Sequence, residues 1–83
     1  MPPRLKTLSG PDVIAALRHF GFEVIATRGS HAKLRRSRVT GLRETLTVPI
    51  HKELARGTLF AIYRQALRFI PESDLRAWFF TAD

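Results

Sequence analysis

Eighty-three residues fit one small domain, and a chain of that size buries only a modest core. No cysteine is present, which excludes disulfides and thiolate metal sites, and no apolar run approaches the ~18 residues of a membrane span. Fourteen Lys and Arg against seven Asp and Glu give a net charge of +7, the balance of a chain that seeks a polyanion, nucleic acid first.

In chain order, Met1 to Thr7 reads as a loosely held basic lead-in without the apolar region of a signal peptide, so the cytoplasm is the expected location. A first helix starts near Ser9, with Ser9 as N-cap, Pro11 in the first turn and Asp12 completing a capping box. Val13, Ile14, Leu17 and Phe20 repeat at helical spacing as its buried stripe. Leu8 and Val13 staple its entry, and Gly21 suits the left-handed position that stops it. His19 in the last turn is read as structural, placed where the dipole favours positive charge.

Phe22 to Thr27 is β-branched and aromatic, a first strand. Gly29-Ser30 turns a tight hairpin into a second strand, His31 to Arg36. Strand alternation sends Ala32 and Leu34 to the core and puts His31, Lys33 and Arg35 together on the opposite face, about 7 Å apart along the strand. Ser37 to Arg43 is a polar loop around Gly41. Glu44 to Val48 is a third strand, Leu46 and Val48 inward, Thr45 and Thr47 outward, ended by Pro49. Residues 50–54 connect to a second helix that begins around Arg56 to Thr58, capped by Gly57 or Thr58, with Leu59, Ile62, Tyr63, Ala66 and Leu67 on one face. Pro71 to Phe80 is a third helix with Leu75, Trp78 and Phe79 as its stripe. Tyr63 and Trp78 are read as core residues. The expected fold is α+β, in the order α-β-β-β-α-α, with a three-stranded antiparallel sheet and helices on one face.

Between Arg28 and Arg43 the chain carries six basic residues and no acidic one, whereas an ordinary solvated face intersperses Glu. His31 sits inside that run, a titratable imidazole among fixed cations, suited to holding a phosphodiester and moving a proton on it. The carboxylates are scattered, so a two-metal nuclease is not indicated. Three histidines without cysteine and without an HxxxH spacing argue against zinc. No cofactor is expected. Metal-free cleavage of RNA fits what remains. The 2′-hydroxyl is the nucleophile, His31 moves a proton, and Lys33 and Arg35 neutralise charge on phosphorus. Arg28, Gly29, Ser30, Lys33, Arg35 and Arg36 form the candidate RNA-contact set, and His51 and Lys52 the candidate auxiliary residues. Two alternatives remain open on the residues alone, a non-catalytic RNA-binding module and a module whose basic face meets an acidic protein.

Leu17 to Phe22, Gly29-Ser30-His31, Thr47-Val48-Pro49-Ile50-His51, Lys52-Glu53-Leu54, Gly57-Thr58-Leu59, Ile62 and Arg64-Gln65-Ala66 stand in order from about residue 8 to residue 67. In that set the chain closely resembles the HicA toxins, messenger-RNA-cleaving members of HicA–HicB toxin–antitoxin modules. The resemblance implies a fold similar to the double-stranded-RNA-binding domain and ribonuclease activity with His31 in the catalytic position. It also implies a HicB-like antitoxin partner in a hetero-oligomer, while the lack of a long apolar run leads to the expectation of no membrane partner. On this reading residues 1–83 form one toxin domain with a core at 8–67 and an extra helix at 71–80. Ser37 to Arg43 is longer and more basic than the turn common in the family, and the tail with Trp78-Phe79-Phe80 is additional.

Overall fold

A computed structural model describes residues 2–82. Met1 of the lead-in and the terminal Asp83 lie outside the described residues. Helix α1 (Gly10–His19) is followed by strands β1 (Glu23–Arg28), β2 (His31–Ser37) and β3 (Arg43–Pro49), then α2 (Arg56–Ala66) and α3 (Glu72–Phe79). The strands form one antiparallel sheet in the order β1-β2-β3. This is the α-β-β-β-α-α arrangement expected, a fold like that of the double-stranded-RNA-binding domain.

Side-chain alternation splits the sheet into two unlike faces. Ala32 and Leu34 of β2 and Leu46 and Val48 of β3 are buried, and they join Val13 and Leu17 of α1, Leu59 and Ile62 of α2 and Leu75 and Phe79 of α3 in one core. The intervening His31, Lys33, Thr45 and Thr47 are exposed. A register slip of one residue would send the apolar set to solvent and the cations into the core, so burial itself enforces this pairing.

The edge strand β1 departs from strict alternation. Phe22 is buried and Glu23 pairs with Arg35, but the register shifts between Val24 and Ala26. This irregularity leaves Ile25 as the extra residue of a β-bulge. Downstream of it Ala26 stands opposite Lys33 and Arg28 opposite His31. Without the extra residue, Arg28 would share the parity of Phe22 and point toward the core. The bulge therefore aims Arg28 at the open face.

Helix α1 begins as its sequence dictates. The Ser9 hydroxyl accepts from the Asp12 amide at 3.0 Å, and the Asp12 carboxylate accepts from the Ser9 amide at 2.9 Å. The backbone N–H and then the hydroxyl of Ser9 hold the Asp12 carboxyl below the ordinary carboxylate range. Gly21, at φ +94°, reverses the chain after the helix. Gly10 has a separate role. A Cβ there would lie 2.0 Å from the Pro49 carbonyl oxygen, and its N–H donates to the His51 carbonyl at 2.8 Å. The N-terminus of α1 is thereby seated against the chain leaving β3.

Several expectations need correction. Helix α2 is capped by Ala55, without a side-chain hydrogen bond, and Gly57 and Thr58 lie inside it. The β2–β3 loop shortens to residues 38–42 because the strands extend to Ser37 and Arg43. Within the lead-in, Arg4 to Lys6 is tied down. Leu5 bridges Phe80, the Lys6 amide donates to the Phe79 carbonyl, and the Thr81 amide donates to the Arg4 carbonyl. The apolar tail thus closes the core of its own chain. Tyr63 is buried as expected, its hydroxyl donating to Glu72 at 2.9 Å, with burial first and that carboxylate second raising its pKa. Trp78 instead is 37% exposed and lies against His19, ring centroids 4.6 Å apart.

Arg36 has the largest structural role of any cation. It shares the inward parity of Ala32 and Leu34, and it pairs across the strands with Glu44 at 2.6 Å, both side chains 15% exposed. Its other nitrogens donate to the carbonyls of Phe20 at 2.9 Å and Phe69 at 2.8 Å, and its guanidinium lies over the Phe22 ring. One side chain so joins the sheet, the end of α1 and the turn before α3. Arg36→Ala removes one partner of a half-buried pair and strips two carbonyls of their donors. We expect a loss of about 2–4 kcal/mol in urea unfolding; a loss below about 1 kcal/mol would show that Arg36 is not a structural tie.

Candidate active site

The open face of the sheet is built from the β1–β2 hairpin outward. Arg28 and His31 face each other across a two-residue turn. Gly29 takes φ +58° while no non-glycine residue has positive φ among the described residues, which is the glycine-first pattern of a type II′ turn matched to strand twist. The Ser30 carbonyl accepts from the Ile50 amide, fastening the turn to the segment after β3. The Ser30 hydroxyl stands 3.5 Å from His31 Nδ1, leaving the Nε2 edge of the ring free of that contact. On its other side His31 is paired with Pro49, which lacks an N–H and suits the edge of a sheet.

Ala26, Arg28, His31, Lys33 and Thr47 line a shallow concavity of about 350 Å³. It joins one proton carrier to two cations on a floor of small side chains, and three strands contribute to it. Among the described residues none of Arg28, Lys33 and Arg35 is paired with a carboxylate, and neither are Arg38 and Arg43. Their charge is available to a ligand. Arg35, half-buried between Glu23 and Thr45, has an Nε closed to solvent and without a hydrogen-bond partner.

Other sequence-derived candidates fall elsewhere. Arg36 lies on the inward face, with its guanidinium engaged by Glu44, Phe20 and Phe69. His51 and Lys52 are exposed in the connector just beyond Pro49, so they sit toward the His31 end of the sheet without lining the concavity. Strand alternation alone puts Thr47 on the outward face, whereas the orientation of Ala26 depends on the bulge and has no signal in the sequence. No group of three or more His, Cys, Asp or Glu converges as metal ligands among the described residues, and no helix is long and apolar enough to cross a membrane. A larger concavity of about 460 Å³, between the N-terminal segment and α2, is lined by Arg4, Arg56, Phe60 and Phe80 but by no histidine.

A family model described as the HicA toxin of bacterial toxin–antitoxin matches residues 10–67. That stretch runs from the first turn of α1 through the end of α2 and includes the whole sheet. No curated protein and no solved structure matches the chain significantly.

The hairpin turn itself is testable. A Cβ at Gly29 meets nothing within 4 Å, so Gly29→Ala isolates the backbone cost of positive φ, about 1–2 kcal/mol in chemical unfolding. No change in stability would mean that the turn adopts another conformation in solution.

Proposed function

The chain belongs to the HicA toxin family of bacterial toxin–antitoxin systems, and from that membership we propose that it is a metal-independent endoribonuclease that cleaves messenger RNA with His31 as its catalytic residue. The observation that carries the proposal is the concavity in which His31, Arg28 and Lys33 meet on an open sheet face. A phosphodiester seated there lies between two unpaired cations and against one imidazole. The 2′-oxygen attacks phosphorus as its proton departs, the P–O5′ bond breaks, and the leaving 5′-oxygen gains a proton. The products are a 2′,3′-cyclic phosphate and a 5′-hydroxyl. His31 moves one of those protons, and Lys33 and Arg28 stabilise the charge that builds on the non-bridging oxygens. DNA, without the 2′-hydroxyl, is not cut by this chemistry.

The Ser30 hydroxyl beside Nδ1 orients the ring, and the fastening of Ser30 to Ile50 fixes the turn that carries both residues. His51 and Lys52, exposed in the connector after Pro49, are the auxiliary residues of this reading, contacting RNA that extends past the concavity. A HicB-like antitoxin is the proposed partner. By covering the outward sheet face it would exclude RNA and neutralise the same cations.

A second reading draws on the helices. Arg64 of α2 and Arg68 of the turn after it are exposed around their own concavity of about 450 Å³, so a non-catalytic module could grip RNA by that side. The two readings part at one residue. His31→Ala should fold and bind RNA while losing about 10²–10⁴-fold in cleavage, and cleavage by the parent protein should survive chelation by EDTA. Undiminished cleavage by His31→Ala, or its abolition by EDTA, would overturn the ribonuclease proposal.

A further inference from the structure

The unpaired positive charge on the sheet does not stop at the concavity. Along β2 the outward positions after His31 are Lys33, Arg35 and Ser37, and Ser37 is paired with Arg43 of β3. Strand geometry spaces successive outward positions about 6.7 Å apart, comparable to the distance between neighbouring phosphates of an extended single strand. The row runs about 20 Å from His31 to Ser37 and continues into the loop at Arg38. At that far end Val39 is 109% exposed and Leu42 68% exposed, two aliphatic side chains against which bases can lie. The acid bordering the row is Glu23, opposite Arg35, and its carboxylate is 4.0 Å from the Arg18 guanidinium.

We propose that Arg35, Arg43 and Arg38 form an extended subsite for single-stranded RNA, binding about three nucleotides on one side of the cleaved bond. This rests on the reading of the outward sheet face as the RNA face. Charge complementarity selects the polyanion, and the linear spacing selects a single strand over a duplex. Chemistry selects it too. A-form pairing holds the 2′-oxygen, phosphorus and 5′-oxygen away from the in-line alignment that attack requires, whereas an unpaired strand can reach it. The subsite also answers the orphaned Arg35 Nε, which gains an acceptor when the guanidinium turns toward a phosphate.

The test separates binding from cleavage. In a His31→Ala background, Arg38→Ala/Arg43→Ala is compared with the unaltered subsite by fluorescence anisotropy, using single-stranded RNAs of about twelve and about four nucleotides across a salt series. Two lost phosphate contacts should weaken the longer RNA about tenfold or more and reduce its log–log salt slope by about 1.4. The shorter RNA, held near residue 31, should lose under about threefold. Equal loss for both lengths, or an unchanged slope, overturns the subsite. So does retained RNA affinity with lost binding of an antitoxin, which would assign these arginines to a protein contact. If the length-dependent loss appears while the parent protein cuts no RNA, the subsite stands and the ribonuclease reading falls. If the His31→Ala protein binds neither RNA, both fall.

Discussion

The alternation of side chains along β2 and β3 is the constraint on which the rest of this structure depends. Ala32, Leu34, Leu46 and Val48 must face the helices to close the core, so His31, Lys33, Thr45 and Thr47 must face away. The fold cannot satisfy its core without presenting the imidazole and its neighbouring cations on one open surface. Arg36 and Glu44 occupy the inward parity at the end of the same two strands. There they serve as a polar clamp, since a guanidinium with five donors can satisfy a carboxylate and two carbonyls together.

That surface has a simple electrostatic character. The acid bordering its cations, Glu23 opposite Arg35, stands 4.0 Å from the Arg18 guanidinium, and Glu44 is paired with Arg36 on the inward side. A small domain that leaves this much like charge unpaired gives up some stability to self-repulsion, and binding an anion relieves it. Membership of a toxin–antitoxin family agrees with a face held ready for RNA and also open to capture by a protein inhibitor. Rigidity around His31 comes from backbone devices, the type II′ turn and the Ser30–Ile50 hydrogen bond. The imidazole consequently needs no carboxylate partner to be held in position.

Much of this was legible in the sequence because it depends on local chemistry. Ser9 and Asp12 announce the first cap, Gly21 its end, and the apolar parity of β2 the two faces of the sheet. What escaped depends on contacts between distant segments. The bulge at Ile25 has no residue signature of its own, yet it decides where Arg28 points. Helix α2 lacks a side-chain cap because none of Ala55, Arg56 and Gly57 offers a hydroxyl or carboxylate, so turn chemistry could not locate its start. The tail's pairing with residues 4–6 joins opposite ends of the chain and leaves no pattern in either. Arg36 is different: its parity with Ala32 and Leu34, and that of Glu44 with Leu46 and Val48, already marked an inward pair. The local density of positive charge around Arg36 says nothing of which face it takes; the alternation does.

The central claim is that the sheet face, and not the surface around Arg64 and Arg68 at the end of α2, is where RNA lies. Amide chemical-shift mapping with a 2′-O-methylated RNA, which binds without being cut, tests it most directly. The account predicts perturbations concentrated at Ser30 to Arg35 and Thr45 to Thr47. Shifts confined to Arg64, Gln65 and Arg68 would contradict it.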